Sequence, residues 1–251
     1  WRLVSRGLGD VYKRQALMSE WWAYQLSDLL MFAPQTYYRL FELYNTSLWP
    51  VQVLTLAASV TTAILMFTGP RWRGRVIASL LALFWLFVAW GYFIGRYAAI
   101  NLAAPYFALG FLVQACLLAL VGLVGGHITF DGARTLIGKT GIALFFFALV
   151  FQPLIGPLLD REWSGMELLG LAPDPTVVGT LGVLLAADRV RWELFVIPVS
   201  WCAITGATLW VMKSPEALLM PLIGLSALVL SAYKSLTLRR ELAGDWKNDR
   251  C

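Results

Sequence analysis

The chain has 251 residues, of which 59% are hydrophobic and 14% charged, and its net charge is +5. Soluble domains carry about 25% charged residues, so this composition excludes an ordinary soluble domain and predicts a protein of the lipid bilayer. The basic residues form no dense run, which argues against nucleic acid as a partner. One histidine, His127, and three cysteines without a Cys-x-x-Cys pair support no metal site and no disulfide framework, and we predict no cofactor.

The N-terminus differs in character from the rest of the chain. Residues 1–15 lack an initiator Met, contain four basic residues and resemble translated adaptor DNA. We therefore treat residues 1–15 as a non-native leader and expect the native chain to begin near Met18.

Residues 16–46 form an aromatic-rich region that Pro34 divides. After this proline, polar residues recur at spacings of four, three and four, which places them on one helical face: Gln35, Arg39, Glu42 and Thr46. The other positions are mostly apolar. We expect a helix that lies in the outer membrane interface or packs on the bundle, with Arg39 and Glu42 paired across one turn.

Apolar segments then dominate, and about 20 such residues cross the hydrocarbon core as a helix. The sequence predicts an all-α transmembrane bundle over residues 47–236 and a cytoplasmic basic tail over 237–251. About seven spans are predicted, with six as the alternative: residues 48–67, 76–94, 105–124, 141–158, 166–187, 194–212 and 215–233.

Lysine and arginine are distributed unequally between alternate connections. One side holds twelve of them: Arg71, Arg73, Arg75, Arg134, Lys139, Arg189, Arg191, Lys234, Arg239, Arg240, Lys247 and Arg250. The other side holds four: Arg39, Arg96, Arg161 and Lys213. The side rich in lysine and arginine is cytoplasmic, so we predict the N-terminus outside and the C-terminus in the cytoplasm.

The fifth predicted span is the weakest. Its uninterrupted apolar run, residues 176–187, covers only about 18 Å as a helix, and Gly170, Pro173 and Pro175 interrupt the residues before it. It is either a broken helix that still crosses, or a re-entrant loop in a protein of six spans. The charge count favours the broken helix, since six spans would place the basic tail outside.

Polar residues at membrane depth are the candidate site, because their burial must be offset by partners or by function. Arg96 and Asn101 lie in an outer turn. They either contact an anion at the mouth of a cavity or act as a snorkelling arginine and a turn asparagine. Gln114 and Gln152 lie within spans. They either line a solute path or hydrogen-bond neighbouring helices, and we favour the second interpretation.

The sequence Pro-Asp-Pro-Thr at residues 173–176 is the best single candidate for a solute site. Two prolines break a helix, and transporters use broken helices as binding sites. We expect Asp174 near the positive N-terminal end of the half-helix on its C-terminal side, with Thr176 as its cap. The alternative is an outer loop that ends in an ordinary N-cap.

Three stretches together resemble a known family. They are YYRLFELYN at residues 37–45 running on to Trp49-Pro50, INLAA at 100–104 with Gln114 downstream, and APDPT at 172–176 followed by TLG. They are similar to an uncharacterised family of small bacterial polytopic membrane proteins, domain of unknown function 6064, whose members are sometimes labelled permeases. The resemblance implies a bacterial membrane protein. Asp174 stands where the family tends to have Cys, and Leu102 where it tends to have Pro.

The sequence therefore predicts an integral protein of the bacterial inner membrane, best interpreted as a small permease-like facilitator of a small solute. The alternative is a non-transporting sensor, scaffold or subunit. We expect no enzyme, since GxxxxGK[ST], HExxH and GxSxG are absent from the sequence. The expected partners are the lipid bilayer and a small solute, with oligomeric state open.

Overall fold

The computed structural model describes residues 32–68, 70–130 and 135–248, with side chains described as far as residue 237. Within these ranges the secondary structure is helical, apart from an isolated β-bridge between Leu169 and Ala172. The main helices are α1 (Pro34–Ser47), α2 (Val51–Phe67), α3 (Arg73–Ala99), α4 (Ala104–Val124), α5 (Leu136–Leu158), α6 (Pro173–Ala186), α7 (Trp192–Val211) and α8 (Leu219–Asn248). The predicted leader, residues 1–15, lies outside the described residues.

Five described helices are long and apolar enough to cross a membrane, namely α3, α4, α5, α7 and the Leu219–Thr237 part of α8. The number of candidate spans rises to six if α1 and α2, which meet at a bend of 93°, are counted together as one span. By length the structure therefore provides five or six spans, where the sequence predicts about seven. The prediction of a helical bundle is confirmed.

Two segments explain the difference in number. The α2 helix has 17 residues, and it is separated from α1 because a residue that precedes proline, here Trp49 before Pro50, disfavours the helical conformation. The α6 helix has 14 residues and is therefore only about 21 Å long. Predicted span 166–187 is thus a short helix preceded by non-helical chain.

Pro153 also shapes its own helix. A proline has no N–H to donate to the carbonyl one turn earlier, and the backbone just before it widens into a π-helical stretch, Phe147–Phe151. The same widening occurs without a proline in α3 over Val88–Ile94 and in α4 over Leu118–Val124. Three of the long helices therefore depart from α geometry along part of their length.

Every second connection between helices lies at the same end of the bundle, which we call the basic end. Three hydrogen bonds join them: Arg73 to the Phe130 carbonyl (2.5 Å), Thr129 to the Asp188 carboxylate (2.7 Å) and Lys234 to the Leu185 carbonyl (2.9 Å). The α2–α3, α4–α5 and α6–α7 connections therefore lie together with the middle of α8.

The remaining connections meet at the opposite end. They are joined by three further hydrogen bonds: Arg96 to the Ser47 hydroxyl (2.7 Å), Asn45 to the Ser164 carbonyl (2.7 Å), and Tyr38 with Ser214 (2.8 Å). Connections thus alternate between the two ends in chain order. The segment 159–187 begins at the opposite end and finishes at the basic end.

The α6 helix lies at the centre of the bundle, and 13 of its 14 residues are buried. It packs closely on α5 at a pair of glycines. A Cβ atom at Gly182 would lie 2.7 Å from both the Gly141 carbonyl oxygen and the Phe145 amide nitrogen. On another side, the Trp85 indole of α3 donates to the Thr180 hydroxyl at 2.8 Å. These contacts fix the position of α6 and of the residues at its N-terminus.

The α1 helix packs on the bundle through its aromatic face, which is one of the two placements that the sequence predicts. Tyr37, Leu40, Phe41 and Tyr44 are buried, and the Phe41 ring stacks on Tyr92 with 5.1 Å between centroids. The expected pair between Arg39 and Glu42 also forms.

At the C-terminus, α8 continues as one helix to Asn248. The predicted boundary between bundle and tail at residue 237 therefore falls inside a helix.

Candidate functional site

A polar cavity opens at the opposite end of the bundle, between α1, α6, the C-terminal part of α5 and the start of α8. The polar cavity is lined by Tyr38, Gln152, Arg161, Glu167, Asp174 and Glu216, with several apolar side chains. The space open to the centres of water molecules is about 40 Å³. Since about 10–15 Å³ holds one water, the cavity has room for a few waters and excludes a large solute.

Arg161 lines the polar cavity and links three separate parts of the chain. Its guanidinium forms an ion pair with Glu216 and donates hydrogen bonds to the hydroxyls of Tyr38 at 3.0 Å and Ser214 at 3.2 Å. The guanidinium carbon also lies 3.7 Å from the centroid of the Tyr38 ring, within cation–π range. The network ties α1 to the α5–α6 and α7–α8 connections.

Asp174 lies in the first turn of α6, at the inner wall of the cavity. Its side chain is 7% exposed, and its Oδ1 accepts hydrogen bonds from the Trp201 indole at 2.8 Å and the Thr205 hydroxyl at 2.9 Å. The positive end of the helix dipole also favours a carboxylate here. The sequence prediction that Asp174 lies near the N-terminus of a half-helix is therefore correct.

The two prolines begin this helix instead of breaking it. The first four N–H groups of a helix have no partner within the helix, so Pro173 and Pro175 remove no intrahelical hydrogen bond. The chain before Pro173 reaches the helix through Gly170, whose φ of +86° strains any residue with a side chain. A Cβ atom there would also lie 2.7 Å from the Phe84 ring.

The predicted capping role of Thr176 is wrong. The N-cap position belongs to Ala172, and no side chain caps it. Thr176 lies inside the first turn, where its hydroxyl accepts from the Gly170 N–H at 2.9 Å and donates to the Ala172 carbonyl at 2.7 Å. It therefore secures the turn before α6 and does not line the cavity.

The two glutamines within spans occupy different environments. The Gln114 amide donates to the Leu194 carbonyl at 3.0 Å, as expected for hydrogen bonding between helices. The Gln152 side chain lines the polar cavity, and its amide has one weak contact, 3.9 Å from the Met220 sulfur. The Oε1 atom of each glutamine is buried without a hydrogen-bond partner in the described part of the chain.

Arg96 and Asn101 lie at the same end as the cavity but do not line it. Arg96 donates to Ser47. Asn101 accepts from the Ala103 N–H at 2.8 Å and donates to the Tyr97 hydroxyl at 3.0 Å, which is the geometry of a turn asparagine. Among the predicted site residues, the structure therefore brings Gln152 and Asp174 together and leaves Arg96, Asn101, Gln114 and Thr176 outside.

Several residues of the cavity, and the donors that hold Asp174, are not predicted as site residues by the sequence. In the sequence, Arg161 enters only the count of basic residues and Glu216 is not singled out at all. The two are 55 residues apart and belong to no motif, so the sequence does not indicate that they pair. Thr205 has the character of a packing residue, although it lies one helical turn after Trp201, on the same face of α7. That spacing is the one sequence signal that Trp201 and Thr205 could donate to the same acceptor, Asp174.

Long apolar helices around a buried short helix, with charged residues confined to the ends, are the architecture of a polytopic helical membrane protein. A family model described as a family of unknown function, DUF6064, matches residues 34–242, so the chain belongs to that family. The match confirms the resemblance found in the three sequence stretches. No curated protein and no solved structure matches the chain.

Proposed function

We propose that the protein is a facilitator that lets a small solute pass the bacterial inner membrane through the polar cavity. The observation that supports it best is that Asp174, in the first turn of the buried α6 helix, lines the cavity. Non-helical backbone at membrane depth is tolerated where protein or water satisfies its polar groups. Transporters place such discontinuous helices at their binding sites, with the helix N-terminus toward the solute.

The proposal includes seven crossings, with the N-terminus outside and the C-terminus in the cytoplasm. Two observations support this threading: the connections alternate between the two ends, and lysine and arginine concentrate at the basic end. In this arrangement α2 and the segment 159–187 cross despite their short helices. The polar cavity then faces the outside of the cell.

The first experiment measures whether water reaches the cavity. We expect Gln152→Cys, in a background with Cys116, Cys202 and Cys251 changed to Ala, to react in intact cells with a small membrane-impermeant methanethiosulfonate. The matched control is Gln114→Cys, a second buried glutamine within a span, which lies outside the cavity and should not react. Equal reactivity of the two variants, or none at Gln152→Cys, contradicts the proposed path.

The alternative function is a sensor or scaffold that binds a solute without passing it. The small volume of the cavity, about 40 Å³, favours this candidate. Solute-induced swelling of proteoliposomes separates the two functions, because only a facilitator accelerates it over protein-free vesicles. A protein with a reactive Gln152→Cys and no flux is a binding protein.

A further inference from the structure

Carboxyl groups outnumber basic groups in the lining of the polar cavity. Five carboxyl groups line it, of which Glu42 is already paired with Arg39: Glu42, Glu162, Glu167, Asp174 and Glu216. One guanidinium, Arg161, lies among them, and it is already paired with Glu216. In the described part of the chain neither Glu167 nor Asp174 forms an ion pair. The cavity therefore favours a cation over an anion.

Two unsatisfied oxygens add an independent observation. Gln152 is 6% exposed, and its Oε1 has no hydrogen-bond partner among the described residues. The Oε2 of Glu216 is likewise buried without a partner there. Both atoms accept hydrogen bonds and belong to side chains of the cavity wall. Buried polar atoms are normally paired with protein or water, so these two acceptors are placed to receive hydrogen bonds from a donor inside the cavity.

The shape and chemistry of the cavity wall restrict the size and chemical class of the ligand further. The cavity holds only a few waters, and Ile155, Leu209 and Met220 give part of its lining an apolar character. The described residues contain no group of three or more His, Cys, Asp or Glu side chains that is arranged to hold a metal ion. A compact metal site is therefore not supported. A small cation with several N–H donors fits both the spaced acceptors and the apolar wall.

We propose that the polar cavity binds a small protonated amine of the size of ammonium or methylammonium, which donates hydrogen bonds to acceptors among Gln152, Asp174 and Glu216. This inference rests on the proposed function and names its substrate class. The charge of the ligand is balanced by the carboxylate of Asp174, and its N–H groups donate to the Gln152 oxygen. Its methyl group, where present, lies against the apolar wall.

Ligand discrimination is the first test. Methylammonium chloride should bind the purified full chain in nanodiscs saturably, measured by calorimetry and by a rise in the unfolding temperature. Tetramethylammonium chloride at the same ionic strength should not bind, because it has no N–H donor and is larger. Equal responses to the two salts, or no response to methylammonium, would overturn the inference.

A matched pair of variants is the second test. Gln152→Leu should weaken methylammonium binding about tenfold or more, the effect of losing one hydrogen bond to a charged group. Gln114→Leu removes another buried amide with an unpaired oxygen, outside the cavity, and should leave binding unchanged. Asp174→Asn keeps the side-chain shape and should weaken binding as well, which provides a readout if Gln152→Leu fails to fold. Unchanged binding in folded Gln152→Leu or Asp174→Asn overturns the inference.

The inference and the proposed function can fail separately. If methylammonium binds as described but proteoliposomes show no flux, the amine site stands and the facilitator does not. If Gln152→Cys reacts and a neutral solute such as urea passes while methylammonium does not bind, the facilitator stands and the amine site is wrong.

Discussion

Arg161 is the residue at which three distant parts of the chain meet, since its partners are Tyr38, Ser214 and Glu216. Its side chain is 19% exposed and that of Glu216 is 12% exposed. Removing one partner of a buried ion pair leaves an uncompensated charge and costs about 3–5 kcal/mol, and partial exposure lowers this figure. We expect Arg161→Met to lower the free energy of unfolding by about 1–3 kcal/mol, measured by thermal or denaturant unfolding in detergent.

Arg39 provides the control at the same end of the bundle. It also pairs with a glutamate, Glu42, one helical turn away, but its side chain is 66% exposed. The Glu42 side chain is 17% exposed, but solvent around the Arg39 guanidinium screens the pair to about 0.5–1 kcal/mol, so Arg39→Met should cost less stability than Arg161→Met. If the two variants lost equal stability, the Arg161 network would be no more than a surface pair.

The contrast between Asp174 and Arg161 shows which single residues a sequence can identify. Asp174 is predictable because two prolines mark it and because a carboxylate at a helix N-terminus has a local physical reason. The hydrogen bonds that hold it come from Trp201 and Thr205 of another helix, and no local pattern states that contact. Arg161 has no local signal, since its function depends on residues up to 123 positions away.

Among the elements, the buried α6 helix sets the geometry of the whole site, and its close approach to α5 can be tested directly. A methyl group at Gly182 would lie 2.7 Å from backbone atoms of α5, which cannot move as a flexible side chain can. We expect Gly182→Ala to lower the free energy of unfolding by about 1–3 kcal/mol through overpacking, and to reduce methylammonium binding by displacing Asp174.

Gly110 is the matched control for this substitution, because it lies inside α4 and a Cβ atom there would meet nothing within 4 Å. Gly110→Ala should be neutral or stabilise the protein by up to about 1 kcal/mol through helix propensity. Denaturant titrations of both variants in the same detergent provide the comparison. A Gly182→Ala protein as stable as Gly110→Ala would show that the two helices are not in backbone contact.

The long helices are predictable because apolar runs of sufficient length have one stable form in a bilayer. The α6 helix is ambiguous in the sequence, because Pro173 and Pro175 fit both an outer loop and the first turn of a helix. Tertiary packing decides between them: Asp174 accepts from Trp201 and Thr205 of α7. The π-helical stretches in α3 and α4 have no marker in the sequence, so only the packed structure reveals them.

At the scale of the whole molecule, the two ends differ in charge, and that difference sets the proposed orientation. The basic end gathers the connections that contain most of the lysine and arginine. Lys234 of α8 also lies there, where it is buried and donates to carbonyls at the C-terminal end of α6. A cation at a helix C-terminus is favoured by the helix dipole. The connections that the sequence assigns to the cytoplasmic side, because they are rich in lysine and arginine, are therefore the ones that lie together at the basic end of the fold.

This orientation makes a prediction for the C-terminal Cys251. In a chain with Cys116→Ala and Cys202→Ala, we expect a membrane-impermeant maleimide to leave Cys251 unmodified in intact cells and to modify it after the membrane is permeabilised. The control adds Cys251→Ala and places the thiol at the exposed Glu162 of the opposite end as Glu162→Cys, which should react in intact cells. Modification of Cys251 in intact cells would show that the orientation is the reverse, with the polar cavity facing the cytoplasm.

Because sidedness depends on the distribution of lysine and arginine, moving basic residues to the α3–α4 connection should increase the fraction of Cys251 that reacts from outside.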